Sequence, residues 1–434
     1  MLIQRAALFD GRVVDIRFDH RIDEVAERLE PRAGEQVLDA AGGTVMPGLH
    51  DHHVHLRSAA AALSSIKVSP GEVRSRDGLR AALARAAVGE DGWIRAVGYH
   101  EAVAGPLDRA VLDDISPNVP VRVQHRSGVL WTLNSAGLSA VGLPDHPDGR
   151  LRSADHGWSD TLRRRETGLA EISRKLAAFG VTGVTDATPD LTVNDVVVFT
   201  EAGRHGELLQ RVDVLAPGKR ILHDDDLDLG ALTEWIASRH AQGGIVALHC
   251  VTAMQLIVAL GALRDAGPRP GDRIEHGAII PEDCLDDLRE LGVTVVTQPN
   301  FVAERGDQYL IDVPEHEHDQ LWRVDSLCKA QIPVALSTDM PFGDPDPWAV
   351  MRAAVNRTTA SGRVLGAAER IDAATALVMF HGCYEQPTRP RTVAVGAPAD
   401  LCVLAAPPDD VLGALDGGLV AATMVEGRVV YEKP

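Results

Sequence analysis

Apolar and polar positions along the chain fall into three regimes. Over the first 48 residues they come in short runs. Residues 2–8 form one run, Asp10-Gly11 is a hairpin turn signal, and 13–18 read as the return strand. Runs at 37–40 and 44–46 follow, separated by Gly42-Gly43, with a helical turn expected near 22–29. The end of the chain looks similar. Residues 393–404 read as a turn flanked by strands, and 422–431 as a hairpin with Glu426-Gly427 at its tip. Two strand-rich ends around a long middle predict that 1–48 and 389–434 meet in one small β-sandwich domain.

The middle, 49–388, alternates between strand-like and helical spacing. Apolar runs at 119–125, 183–186, 211–215, 245–249, 273–276, 293–298 and 334–339 each end in polar residues. Between them, 253–265 and 282–291 carry apolar residues at helical spacing. Alternating strand and helix predicts a parallel sheet. Counting the strand that leads into His53, the runs suffice to close a (β/α)8 barrel. The run 93–99 is then a supernumerary strand, within an insertion expected at about 58–118.

Candidate chemistry gathers where these runs end. The stretch His50-Asp51-His52-His53-Val54-His55 packs four histidines and an aspartate into six residues. Side chains alternate faces along a strand, so His53 with His55, or His50 with His52, could close on one metal ion. The local pattern leaves the two pairs unranked. Barrel active sites lie at the C-terminal ends of strands. His249, His276 and Asp339 each finish an apolar run there, as His53 and His55 do. Four histidines and an aspartate suit zinc or a similar divalent ion; iron and manganese accept the same donors. Each residue alone is more readily read as structural, and their shared position carries the reading.

Charge and cysteine content narrow the class. The 434 residues carry a net charge of −19, which repels nucleic acid and anionic membranes. Five dispersed cysteines without a Cys-x-x-Cys pair argue against a disulfide framework and fit a reducing, cytoplasmic setting. Met1-Leu2-Ile3-Gln4-Arg5 does not open a signal peptide, and no apolar run approaches the roughly 18 residues of a membrane span. A small-molecule substrate is expected. The oligomeric state is left open, a homo-oligomer included.

Over nearly its whole length the sequence resembles the amidohydrolase superfamily of metal-dependent hydrolases. Pro47-Gly48-Leu49-His50-Asp51-His52-His53-Val54-His55-Leu56 resembles the family's "PGLIDxHxHL" stretch. That register selects His53 and His55 as ligands and leaves His50 and His52 on the other face. Residues 395–401 resemble its "xGxxADL" turn, and Ser337-Thr338-Asp339 its "GSD". Residues 93–98, 133–138 and 272–276 resemble the YtcJ-like branch. That branch usually has Gly-His before the Asn-Ser, where this chain reads Gly128-Val129. Lys219, in Ala216-Pro217-Gly218-Lys219, resembles the branch's "GPVKI". The resemblance implies that its amine, carboxylated by CO₂, bridges two ions; the plain alternative is a surface lysine beside Asp224-Asp225-Asp226.

The expected site is thus His53, His55, Lys219, His249, His276 and Asp339 around one or two divalent ions, zinc first. The expected reaction is hydrolysis of an amide or related C–N bond, with Asp339 as general base to a metal-activated water. His125, Trp131, Gln298 and Arg305 are the substrate-binding candidates. For Trp131 packing, and for Arg305 a surface ion pair, are the plainer roles. Two other functions stay open: a one-metal hydrolytic deaminase without Lys219, and an inactive scaffold, which the complete ligand set disfavours.

Overall fold

The computed structural model describes residues 1–152, 158, 162 and 168–434. It divides into two compact units, Met1–Leu56 with Leu169–Pro434, and Arg57–Gly168.

In the first unit, both ends of the chain share one eight-stranded mixed sheet. Its order is Arg428–Glu432, Val420–Val425, Leu401–Leu404, Thr44–Pro47, Leu2–Ala7, Val13–Phe18 and Ile22–Ala26, with Val37–Asp39 also on Leu2–Ala7. Ile3, Ile16, Phe18, Leu401 and Met424 fill the apolar cluster on this sheet. The tip at Glu426-Gly427 has φ of 50° and 76°, the left-handed pair that a two-residue hairpin turn demands. The helical turn expected near 22–29 is corrected to the strand Ile22–Ala26. Glu24, Ala26, Glu27, Arg28 and Leu29 favour helix, but antiparallel pairing of Ile22–Ala26 with Val13–Phe18 overrides that propensity.

The same unit holds two parallel sheets. One runs Arg211–Val214, Val181–Asp186, Leu49–Val54, and the other Lys219–Ile221, Ala247–Cys250, Arg273–His276, Thr294–Thr297, Val334–Leu336. Leu49–Val54 and Val181–Asp186 are buried along their whole length, as strands covered on both faces must be. Thr44–Pro47 leads through Gly48 directly into Leu49–Val54. A Cβ at Gly48 would lie 2.1 Å from the Thr182 methyl, so the strands approach only because it is absent. At the far end the Asp339 amide donates to the His53 carbonyl at 3.0 Å, and the His55 amide to Met340 O at 2.9 Å. These bonds tie the ends of the two sheets together beside the histidines.

One strand assignment changes. The run 119–125 does not join these parallel sheets. Val121–His125 pairs with Ile94–Tyr99 and Leu130–Leu133 in the second unit. Lys219–Ile221 is the parallel strand that sequence periodicity missed, because three residues are too few to show a period. The run 93–99 is accordingly the strand Ile94–Tyr99 of a second sheet, not an orphan.

That second sheet is ordered Arg150–Arg152, Leu130–Leu133, Val121–His125, Ile94–Tyr99, Ile66–Lys67. Asn134 knits it to the helix Ser135–Ala140. Its Oδ1 accepts from the amides of Val121 and Gly137 at 2.9 and 2.8 Å, and its Nδ2 donates to Ser116 O and Val119 O. The Asn-Ser motif is therefore built into the unit's framework. Among the described residues, no helix is long and apolar enough to cross a membrane.

Candidate metal centre

Alternation along Leu49–Val54 sends His53, and His55 just beyond, to one side. Their Nε2 atoms lie 3.6 and 3.5 Å from the same oxygen, Asp339 Oδ1. These three donor atoms lie within 4.8 Å of one another, a span that bonds of about 2.0–2.2 Å to one ion can close. Asp339 Oδ1 is buried and receives no hydrogen bond, so its lone pairs are free for a cation. Two imidazoles and a carboxylate are also the donors a borderline divalent ion prefers. The residues therefore fit the metal that the sequence implies.

Asp339 has φ of 55° and His276 φ of 70°. Left-handed backbone at a residue other than glycine costs on the order of 1–3 kcal/mol and persists where surrounding contacts impose it. At His276 it breaks the strand's alternation, so Glu275 and His276 both turn toward His53. The His276 ring centroid is 4.8 Å from that of His53 and 4.5 Å from that of His249. His276 Nδ1 is 3.9 Å from Asp339 Oδ2. His249 thus joins the group through His276.

Each of three rings is held at Nδ1. His53 meets the Glu275 carboxylate in a short contact, His55 meets Thr188 Oγ1 at 3.0 Å, and His276 meets Gln298 Oε1 at 2.9 Å. Burial pushes the His53 and His276 pKa values far down and that of His249 to about 3. All three are therefore neutral near pH 7, the form that ligates.

Lys219 opens its strand, buried, with no hydrogen-bond partner for Nζ. Burial lowers its pKa to about 8, against the opposing pull of Glu275 and Asp339. It is paired in register with Ala247, two residues before His249. A buried, unpartnered amine close to neutrality is the species that can take up CO₂; a surface position is excluded.

His50 and His52 stand apart from the three-donor group. His50 Nε2 is 2.8 Å from Thr185 Oγ1, and both ring nitrogens of His52 are buried without partners. Asp51 is held by the Thr338 amide and hydroxyl, and burial raises its carboxyl to about 7. It anchors the residue just before Asp339.

The other candidates are dispersed. The Gln298 side chain is used up on His276 and on Ser337 Oγ, to which it donates at 2.8 Å. Arg305 donates to Phe342 O and stacks on the Phe301 ring at 3.9 Å. His125 and Trp131 belong to the second unit. Trp131 packs with Trp93, Leu133 and Trp158. His125 Nε2 faces Glu101 Oε2 at 3.2 Å, beside His100. Sequence reasoning did not assign Glu275, Thr188, Asp51 or Thr338. For Glu275 a signal was there: Arg273, two residues earlier, shares its strand face.

Comparison with known proteins identifies the family. A family model described as the amidohydrolase family matches residues 36–431. The chain belongs to that family, whose members hydrolyse carbon–nitrogen bonds with a bound metal. Among characterised proteins it is similar to the N-substituted formamide deformylase of Arthrobacter pascens, 24% identical over 92% of this chain and 90% of that one. Among solved structures it is similar to an uncharacterised metal-dependent hydrolase from Pyrococcus horikoshii OT3. That likeness has a TM-score of 0.72 at 20% identity, covering 94% of this chain and 97% of that one. The 5-methylcytosine deaminase of Klebsiella pneumoniae shares the fold at a TM-score of 0.59 and 14% identity, over 100% and 98% of the two chains.

Proposed function

We propose that this protein hydrolyses an amide C–N bond, with N-substituted formamides as the leading substrate class. The convergence of His53 Nε2, His55 Nε2 and Asp339 Oδ1 carries the proposal. The substrate class is suggested by the Arthrobacter pascens relative, aligned over almost the whole chain.

His53, His55, His249, His276 and Asp339 would hold the ion, with zinc the proposed species and a carboxylated Lys219 a further donor should a second ion bind. When bound, the ion supplies Lewis acidity, lowering the pKa of water and polarising a carbonyl. The Asp339 carboxylate would accept the proton of the attacking water and return it to the departing nitrogen. Neutral histidines keep their lone pairs for ligation. Gln298 and Thr188 hold rings in place, so we assign Gln298 to positioning and not to substrate. Arg305 is spent on Phe342 O and the Phe301 ring. His125 and Trp131 lie in the separate Arg57–Gly168 unit, and no role at this centre is assigned to them.

We also infer that the two parallel sheets close as an eight-stranded barrel spanning 49–388, interrupted by that unit. The bond from Asp339 N to His53 O supports this closure. In the same reading 1–48 and 389–434 form a β-sandwich over their shared apolar core. The motifs at 93–98, 133–138 and 272–276 support the YtcJ-like branch, and unpaired cysteines support a cytoplasmic setting.

A one-metal deaminase is the second reading, favoured by the one-ion size of the His53, His55 and Asp339 group. The test is metal analysis of the purified protein together with a screen of N-substituted formamides, N-acyl amino acids, cyclic amides and aminated heterocycles. Formate release that is lost on chelation and restored by zinc is the expected result. Ammonia released from heterocycles alone would favour the deaminase. Unchanged turnover in metal-free protein would refute both.

A further inference from the structure

The four histidines are not held alike. Of the three with a partner at Nδ1, His55 faces a hydroxyl and His276 a neutral amide. Of these, His53 alone has its Nδ1 hydrogen-bonded to a carboxylate, that of Glu275. That carboxylate is fully buried, and Arg273 is 2% exposed. Arg273 Nε lies 2.6 Å from Glu275 Oε1, and its Nη2 3.2 Å from Oε2. The same Nη2 donates at 2.7 Å to the carbonyl of His52, the residue that precedes His53. Arg273 and Glu275 are two apart on one strand and so share a face. A single strand thus fixes both the backbone leading into His53 and its ring.

Burying an ion pair costs solvation that the pairing returns only in part. Stability is therefore a weak account of why this one is here. What the pair provides is direction. A carboxylate oxygen accepts and does not donate, so His53 must carry its proton on Nδ1. The Nε2 lone pair is then committed toward Asp339 Oδ1. A carboxylate at the far nitrogen also makes the imidazole a better donor.

We propose that Glu275, held in place by Arg273, is a positioning residue that sets the tautomer, the orientation and the basicity of His53 for metal binding. The inference rests on the reading of His53 as a ligand. It predicts a rank order among the Nδ1 partners: loss of the Glu275 carboxylate weakens metal binding more than loss of the Thr188 hydroxyl.

The test measures zinc affinity of the full-length chain by chelator competition, alongside the unfolding midpoint of each metal-free protein. Glu275→Ala is expected to weaken affinity about 10- to 100-fold, with Thr188→Val falling by less. Glu275→Gln, which keeps an oxygen for Nδ1–H, is expected to recover part of the loss. Glu275→Asp, charged but too short to reach the ring, is expected to behave like Glu275→Ala and replaces it if alanine prevents folding. Folded Glu275→Ala or Glu275→Asp protein that binds zinc as tightly as wild type overturns the positioning role while the centre stands. Wild-type protein that binds no divalent ion overturns the centre itself, and this inference with it.

Discussion

Asp339 Oδ1 faces two imidazole nitrogens at 3.6 and 3.5 Å and takes no hydrogen bond. Asp339→Asn keeps the shape and removes the proposed base. We expect kcat to fall by about 10²- to 10⁴-fold with the unfolding midpoint nearly unchanged; steady-state kinetics beside thermal unfolding check this. A second residue governs stability away from the metal centre. Burial, and then Glu385, push the Asp213 carboxyl up to about 6. A raised carboxyl binds its proton longer in the folded than in the unfolded chain. Stability is therefore lost as pH climbs from about 4 to 6 and stays lower above that. Asp213→Asn should become progressively more stable than wild type across that window and hold a constant advantage beyond it. A difference in midpoint that does not vary with pH would contradict this. At this scale the sequence was informative wherever period two held. Alternation pairs His53 with His55 but ranks them no higher than His50 with His52; the family resemblance made that choice. The Arg273–Glu275 spacing marked a pair but not its place at the centre, because alternation sets Glu275 opposite His276, whose left-handed φ departs from the strand pattern.

Elements were legible in proportion to their length and to how far local propensity agreed with tertiary pairing. The hairpin Val420–Val425 with Arg428–Glu432 was plain from Glu426-Gly427. Ile22–Ala26 was not, because its residues favour helix and a neighbouring strand decides the outcome. Nor was Lys219–Ile221, whose three residues show no period. Val121–His125 was read correctly as a strand and assigned to the wrong sheet, since a parallel partner cannot be inferred from one strand's own pattern. Beyond its two strand partners, Val121–His125 is tied to its unit by Asn134, whose amide satisfies four backbone groups. Asn134→Ala would strand the buried Val121 amide and remove the cap of Ser135–Ala140. Leaving a buried donor unpaired costs about 1–3 kcal/mol and losing a cap about 1 kcal/mol. We expect a loss of about 3 kcal/mol in denaturant unfolding, with Asn134→Asp, which keeps the two acceptor bonds, losing less.

Across the whole molecule, the proposed ligands come from separate strands of both parallel sheets. His53 and His55 lie at the end of Leu49–Val54, His249 on Ala247–Cys250, His276 on Arg273–His276, and Asp339 three residues beyond Val334–Leu336. An ion held by all of them cross-links elements nearly 290 residues apart in sequence, and that separation means the unfolded chain cannot bind it equivalently. Binding energy is then folding energy. At a free metal concentration of 100 Kd the gain is about 2.7 kcal/mol, and at 1,000 Kd about 4.1 kcal/mol. The metal-loaded protein should therefore unfold at a higher temperature than the chelated protein, by an amount that grows with the logarithm of metal concentration. His53→Ala should remove most of that dependence; its metal-free midpoint should fall as well, because the buried Glu275 carboxylate loses a partner, so the comparison is of slopes. Calorimetry across a zinc titration measures both slopes. A midpoint that ignores zinc in the wild type would mean that these residues do not form a metal centre.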